Sequence, residues 1–211
     1  MRAVYIRAHQ LAAREVLALE LEEGRVLELM ATGHPIRAHM AGLDDAAADL
    51  LVEVFVARYR EEREGLARAF PGMRSLLRRL RDRGVPIAVV TSKLREDAIA
   101  ELVATGLSEC IKLVIAFEDT DEHKPAAAPQ LAALRSLGIT RGIGIGDLPS
   151  DVFSARAAGL RALAVAWGYG NDAELRAAGA ECVCATATEL TEALEERLGF
   201  PTHASARADR P

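Results

Sequence analysis

From Pro71 to Leu198 the chain alternates short apolar runs with stretches whose apolar residues recur every three or four positions. The runs Pro86–Val90, Leu113–Ala116, Gly142–Gly146, Ala162–Trp167 and Cys182–Cys184 predict strands. Met73–Arg83, Arg95–Thr105, Pro129–Leu137, Asp151–Ala158, Ala173–Ala178 and Ala187–Leu198 predict helices. Continuous Val- and Ile-rich strands between helices imply a parallel sheet covered on both faces, a doubly wound, Rossmann-like α/β fold. The first 69 residues read as largely helical. Tyr5, His9, Ala12, Val16 and Leu19 fall on one helical stripe, and a second run from Ala46 to Phe70 carries Leu50, Val54, Val56, Tyr59 and Leu66. Between the two, Ala31-Thr-Gly-His-Pro35 breaks the pattern. The expected organisation is a helical cap module over 1–69, an α/β core over 70–200 and a polar, disordered tail over 201–211.

Composition narrows the class. Of 211 residues, 50% are hydrophobic and 27% charged, the balance of a soluble globular protein with a core of its own. The net charge of −5 and the absence of a Lys/Arg run argue against nucleic acid as a partner. No apolar stretch approaches membrane-spanning length, and Met1–Gln10 has no signal-peptide core, so a cytoplasmic protein is expected. Cys110, Cys182 and Cys184 form no CxxC pair and read as reduced thiols; with no further ligand nearby, zinc is not expected. The Arg- and Ala-rich composition fits a bacterial source. Only Lys93, Lys112 and Lys124 among the 26 basic residues are lysines, so each invites a question about its chemistry.

In doubly wound sheets, ligands sit beyond the carboxyl ends of the strands. Three predicted strand ends carry suitable groups. Thr91 and Ser92 follow Ile87–Val90 and can donate to a phosphate oxygen, or cap the next helix. Lys124 precedes Pro125, which fixes its approach as a point charge for phosphate; the alternative is a solvated loop lysine. Asp147 closes a strand and Asp151 opens a helix. Two such carboxylates suit Mg2+, or serve only as turn and N-cap residues. Gly142, Gly144 and Gly146 do not form a dinucleotide fingerprint, which argues against a nucleotide-binding domain.

In order, Val89-Val-Thr91-Ser92-Lys93, Lys124-Pro125, Gly146-Asp147-x-x-x-Asp151 and Ala155-Arg-Ala-Ala-Gly159 resemble the haloacid dehalogenase superfamily, in its phosphoglycolate phosphatase-like subgroup. Phe70-Pro-Gly-Met and Ala166-Trp-Gly-Tyr-Gly170 belong to the same resemblance, which covers residues 1–198. It implies a Mg2+-dependent phosphomonoester hydrolase acting on a small phosphorylated metabolite. Thr91, with Ser92 beside it, would bind phosphoryl oxygen, Lys124 would orient phosphate and nucleophile, and Asp147 and Asp151 would hold the metal. The helical module would be the cap that selects substrate. His34, Arg37 and His39 would lie near the turn facing the site, and Arg37 is the candidate substrate contact.

The family's nucleophile is the first Asp of an Asp-x-Asp pair closing a strand. No such pair occurs near the start of this sequence. Either Arg2–Ile6 is that strand, with Arg7 and His9 replacing the aspartates, or the strand is missing and Met1 stands where the cap helix begins. The uninterrupted stripe from Tyr5 favours the second. The missing strand would lie between those ending at Thr91 and Gly146, and its loss would leave unpaired edges. In both cases the chain is expected to be catalytically silent, and a non-catalytic phosphate-ester binder is the alternative. Glu118 and Asp119 would shape the field at Lys124 or be solvated loop acids, and Trp167 would close an apolar strand in the core.

Overall fold

A computed structural model describes residues 2–31, 43–63 and 66–200. Arg37, with His34 and His39, lies outside the described residues, as does the tail 201–211.

Three N-terminal helices come first, α1 (Arg2–Leu17), α2 (Glu23–Ala31) and α3 (Asp45–Arg63). Alanines at Ala8 and Ala12 of α1, both fully buried, leave room for Leu51, Phe55 and Tyr59 of α3. Those three recur every fourth residue, so the buried stripe of α3 is displaced from the expected one: Leu50 is 49% exposed. Because Arg2–Ile6 is the first turn of a helix, the alternative with a strand ending at Arg7 and His9 fails. His9 is buried between the rings of Tyr5 and Phe55, with Nδ1 on the Tyr5 carbonyl at 3.1 Å. The stripe is not continuous to Leu19. Ala18 takes a left-handed conformation (φ 51°), and Leu19 is 51% exposed. The chain then turns into α2, with Gln10 Nε2 donating to the Leu21 carbonyl at 2.8 Å.

The remaining elements alternate: α4 (Met73–Asp82), β1 (Ala88–Val90), α5 (Arg95–Ala104), β2 (Leu113–Ile115), α6 (Ala128–Leu137), β3 (Ile143–Gly146), α7 (Pro149–Ala157), β4 (Arg161–Val165), α8 (Asp172–Ala177), β5 (Cys182–Cys184) and α9 (Ala187–Leu198). All strand pairs are parallel. Helix α7 starts two residues earlier than the sequence pattern implied, because Pro149 supplies a preset φ where no amide donor is needed. β4 is buried on both faces. Leu163 and Val165 pack with Leu76, Leu80, Leu190 and Leu194 of α4 and α9; Ala162 and Ala164 pack with Val152, Ala155 and Leu175 of α7 and α8. Each large apolar side chain buried this way contributes about 1.5–3 kcal/mol.

The single sheet expected from the pattern is divided. One sheet holds β1 and β2, the other β3, β4 and β5. Among the described residues no strand joins β1 to β3, so each carries one unpaired edge. Ile145 of β3 is 44% exposed, unusual for a strand between helical layers.

Charged contacts fasten the N-terminal helices to the α/β part. Arg60 and Arg63 of α3 converge on buried Asp97 of α5 at 2.9 and 2.8 Å. Tyr59 donates to Glu101, and Lys93 donates to both Tyr59 and Glu101. Lys93 is therefore committed to this joint. Among the described residues no helix is long and apolar enough to cross a membrane.

Candidate active site

The carboxyl ends of β1 and β3 meet through one side chain. Lys124 Nζ donates to the Val90 carbonyl at 3.4 Å and to Asp151 Oδ1 at 2.6 Å, so it spans the divide between the two sheets. Both side chains of the ion pair are mostly shielded, 14% and 13% exposed, where a charged pair is screened far less than on the surface. The loop that presents Lys124 is tied down by Ser154, wholly buried on α7, whose hydroxyl donates to the Ala126 carbonyl at 2.7 Å.

Asp151 occupies the third position of α7 and not its N-cap, which is Leu148. Its Oδ2 accepts from the backbone N–H groups of Asp147 and Leu148 at 3.2 and 3.1 Å, closing the helix start. Both Asp151 oxygens are thus engaged. Gly146 makes this possible: a Cβ there would overlap the Asp151 side chain. This glycine, part of no nucleotide fingerprint, lets the helix start lie against the strand end.

Asp147 differs. Its Oδ2 accepts the Tyr169 N–H at 2.9 Å, and its own backbone amide gives the carboxyl a further hydrogen bond. Burial pushes its carboxyl above the ordinary aspartate range, and Asp151 adds to the rise; the Tyr169 amide and Lys124 oppose it. A desolvated carboxylate beside a second carboxylate is a setting that a hard cation would relieve. No cluster of three or more His, Cys, Asp or Glu side chains able to hold a metal occurs among the described residues. A cation here would complete its shell with water and ligand oxygens.

Thr91 follows directly on Val90 and is partly buried, with Oγ1 accepting the Lys93 amide at 3.2 Å. Ser92 is exposed beside it. Thr91, Lys124, Asp147 and Asp151 thus gather at the strand ends, while Arg37 lies outside the described residues. Glu118 and Asp119 serve another purpose. Glu118 accepts the first amide of α5 through both oxygens at 3.1 Å, and Asp119 accepts the Ala116 amide and pairs with Arg95. In the sequence's only Asp-x-Asp, Asp119-Thr-Asp121, the first aspartate therefore closes a turn on the Ala116 amide and pairs with Arg95. Trp167 packs on the core and on Phe70, as its strand-end position implied. Cys182 and Cys184 lie on one face of β5, with sulfurs 3.8 Å apart.

The sequence pattern does not reveal Ser154 and Tyr169 as positioning residues. For Tyr169 a signal exists in the Gly168-Tyr-Gly170 run after a strand, since glycines there mark a close backbone approach.

A parallel α/β fold whose strand ends gather a lysine, a threonine and two carboxylates defines a class, and the sequence comparison gives its family. The profile of the haloacid dehalogenase-like hydrolases matches residues 3–165, and the chain belongs to that family. Among individual relatives, a phosphoglycolate phosphatase from Rhodospirillum rubrum is 34% identical over 131 residues, 61% of this chain and 54% of that protein. A pyrophosphatase, PpaX, from Oceanobacillus iheyensis is 27% identical over 137 residues, 64% of each chain. The chain therefore spans between about half and two thirds of the length of these curated relatives. A hydrolase from Pseudomonas syringae has the same fold, with a TM-score of 0.81 at 23% identity over 92% of both chains.

Proposed function

We propose that the strand-end cluster is the phosphate and metal cradle of a phosphomonoester hydrolase of the phosphoglycolate phosphatase type. Its substrate class is a small phosphorylated metabolite, and this 211-residue chain binds such ligands without turning them over. The observation that carries this reading is Lys124, held between the Val90 carbonyl and Asp151 where the two sheets face each other. A shielded ammonium beside a threonine hydroxyl suits phosphoryl oxygens. In this reading Asp147 and Asp151 would hold Mg2+. Asp151 also fixes Lys124 and the Asp147 amide. When bound, the metal neutralises charge on a phosphoryl group.

Turnover needs a nucleophile. Arg7 and His9 cannot supply one here: an arginine stays protonated, and His9 is buried in the helical module. The named relatives divide between a phosphoglycolate phosphatase and a pyrophosphatase, and both names fit a small phosphorylated substrate. Three free thiols and a fold without a membrane-crossing helix among the described residues fit a cytoplasmic setting.

Calorimetric titration with inorganic phosphate in the presence of Mg2+ tests the cradle. Saturable binding to the wild-type chain that is lost in Lys124→Met is expected. Equal heats in both proteins, or none in the wild type at millimolar phosphate, would remove the assignment.

A further inference from the structure

The loop after β4, Trp167-Gly-Tyr-Gly170, sits between Asp147 and the N-terminal helices. Two of its amides hold Asp147: Tyr169 N–H reaches Oδ2 at 2.9 Å, and Gly170 N–H reaches the Asp147 carbonyl at 2.8 Å. The approach is so close that a Cβ on residue 168 would overlap the Asp147 carboxylate. The Tyr169 side chain goes the other way. It packs against Ile6 and Val26, together with Leu21 and Leu27, and its ring centroid lies 6.3 Å from that of Tyr5. Tyr5 in turn contacts Phe55 and Tyr59 of α3 at 5.2 and 6.0 Å. One residue thus has its amide on the carboxylate and its ring in the apolar seat of α1 and α2.

We propose that Tyr169 is a positioning residue that couples the seating of the N-terminal helices to the orientation of the Asp147 carboxylate. When α1 and α2 are seated, the ring fixes the loop and the two amides hold Asp147 in place. When the ring loses that seat, the loop is released and the carboxylate with it. Seating of the helical module and cation affinity at Asp147 then form one linked equilibrium. The consequence for cation binding rests on the proposed function; the coupling itself does not.

Amide hydrogen exchange in the full chain tests the coupling without any metal. Tyr169→Ala keeps both amides and removes only the ring; Tyr5→Leu keeps apolar volume in α1 but removes the facing ring. Exchange at residues 169 and 170 should rise about tenfold in both variants. Leu51→Ala is the control, since it loosens the α1–α3 core without touching Tyr169. Wild-type protection of the two amides in Tyr169→Ala and Tyr5→Leu, or an equal rise in Leu51→Ala at matched melting temperature, would overturn the proposal. A Mn2+ titration followed by electron paramagnetic resonance separates the two claims. Affinity about tenfold weaker in Tyr5→Leu supports the link to the cation, in the range known for groups that orient a metal ligand. No Mn2+ binding by the wild type would sink the metal reading and leave the exchange result to decide the coupling.

Discussion

Replacing Asp147 by asparagine should make the protein more stable at neutral pH. The carboxylate is buried, accepts the Tyr169 N–H and shares its surroundings with Asp151. Its raised pKa means that burial and the like charge outweigh the help from Tyr169 and Lys124. An amide oxygen at the Oδ2 position can still accept the Tyr169 N–H, so Asn keeps the hydrogen bond and removes the charge. Because the folded-state value lies above the unfolded one, the native state holds the proton more tightly. Wild-type stability therefore falls as pH rises from the ordinary value of 3.8 through the folded-state value. The gain at pH 7 should be about 0.5–2 kcal/mol, the usual range when a strained functional group is neutralised. For a chain of this length that corresponds to a melting temperature higher by about 1–8 °C. Urea unfolding of both proteins at pH 7 and at the lowest pH where both remain folded measures it, and the difference should shrink toward acid. Mg2+ at ten times its Kd should restore about 1.4 kcal/mol to the wild type and nothing to the variant. An asparagine variant that is less stable at pH 7, or equally displaced at both pH values, would refute the reasoning.

Leu163→Ala removes a side chain 1% exposed between α4 and α9 and should lower stability by about 2–5 kcal/mol in urea unfolding; a loss below about 1 kcal/mol would mean that the core is packed differently. Gly146→Ala forces a methyl into Asp151 and should abolish phosphate binding in calorimetry while lowering the melting temperature; wild-type binding would disprove the close approach. Burial, with Cys182 beside it, pushes the Cys184 thiol up to about 12, so iodoacetamide at pH 8 should label Cys182 well before Cys184, as read by peptide mass spectrometry.

The α/β part was legible because its strands are continuous apolar runs and its helices carry clean stripes. Cys182–Cys184 and Ala187–Leu198 fall where the pattern put them. The helical module was legible in kind but not in phase. Two adjacent leucines, Leu50 and Leu51, offer alternative stripes, and only the fit of α3 against Ala8 and Ala12 selects Leu51. The break at Ala18 carries no glycine or proline to announce it. In the candidate site, Thr91, Lys124, Asp147 and Asp151 were readable because strand ends converge in such folds. The groups that hold them were not. Ser154 looks like any helix serine, and Tyr169 acts through a backbone amide that every residue type except proline possesses. Glu118 caps a helix distant in sequence, which no local pattern encodes.

Phosphate release from phosphoglycolate with Mg2+, read by malachite green, tests the central claim most directly. The 211-residue chain is compared with a version extended at its N-terminus by an apolar strand ending in Asp-x-Asp. The account predicts no release by the first, turnover by the second, and loss of that turnover in Asp147→Ala. Release by the unextended chain would contradict it, since no carboxylate at the strand ends would then be free to attack without giving up its place in the cradle.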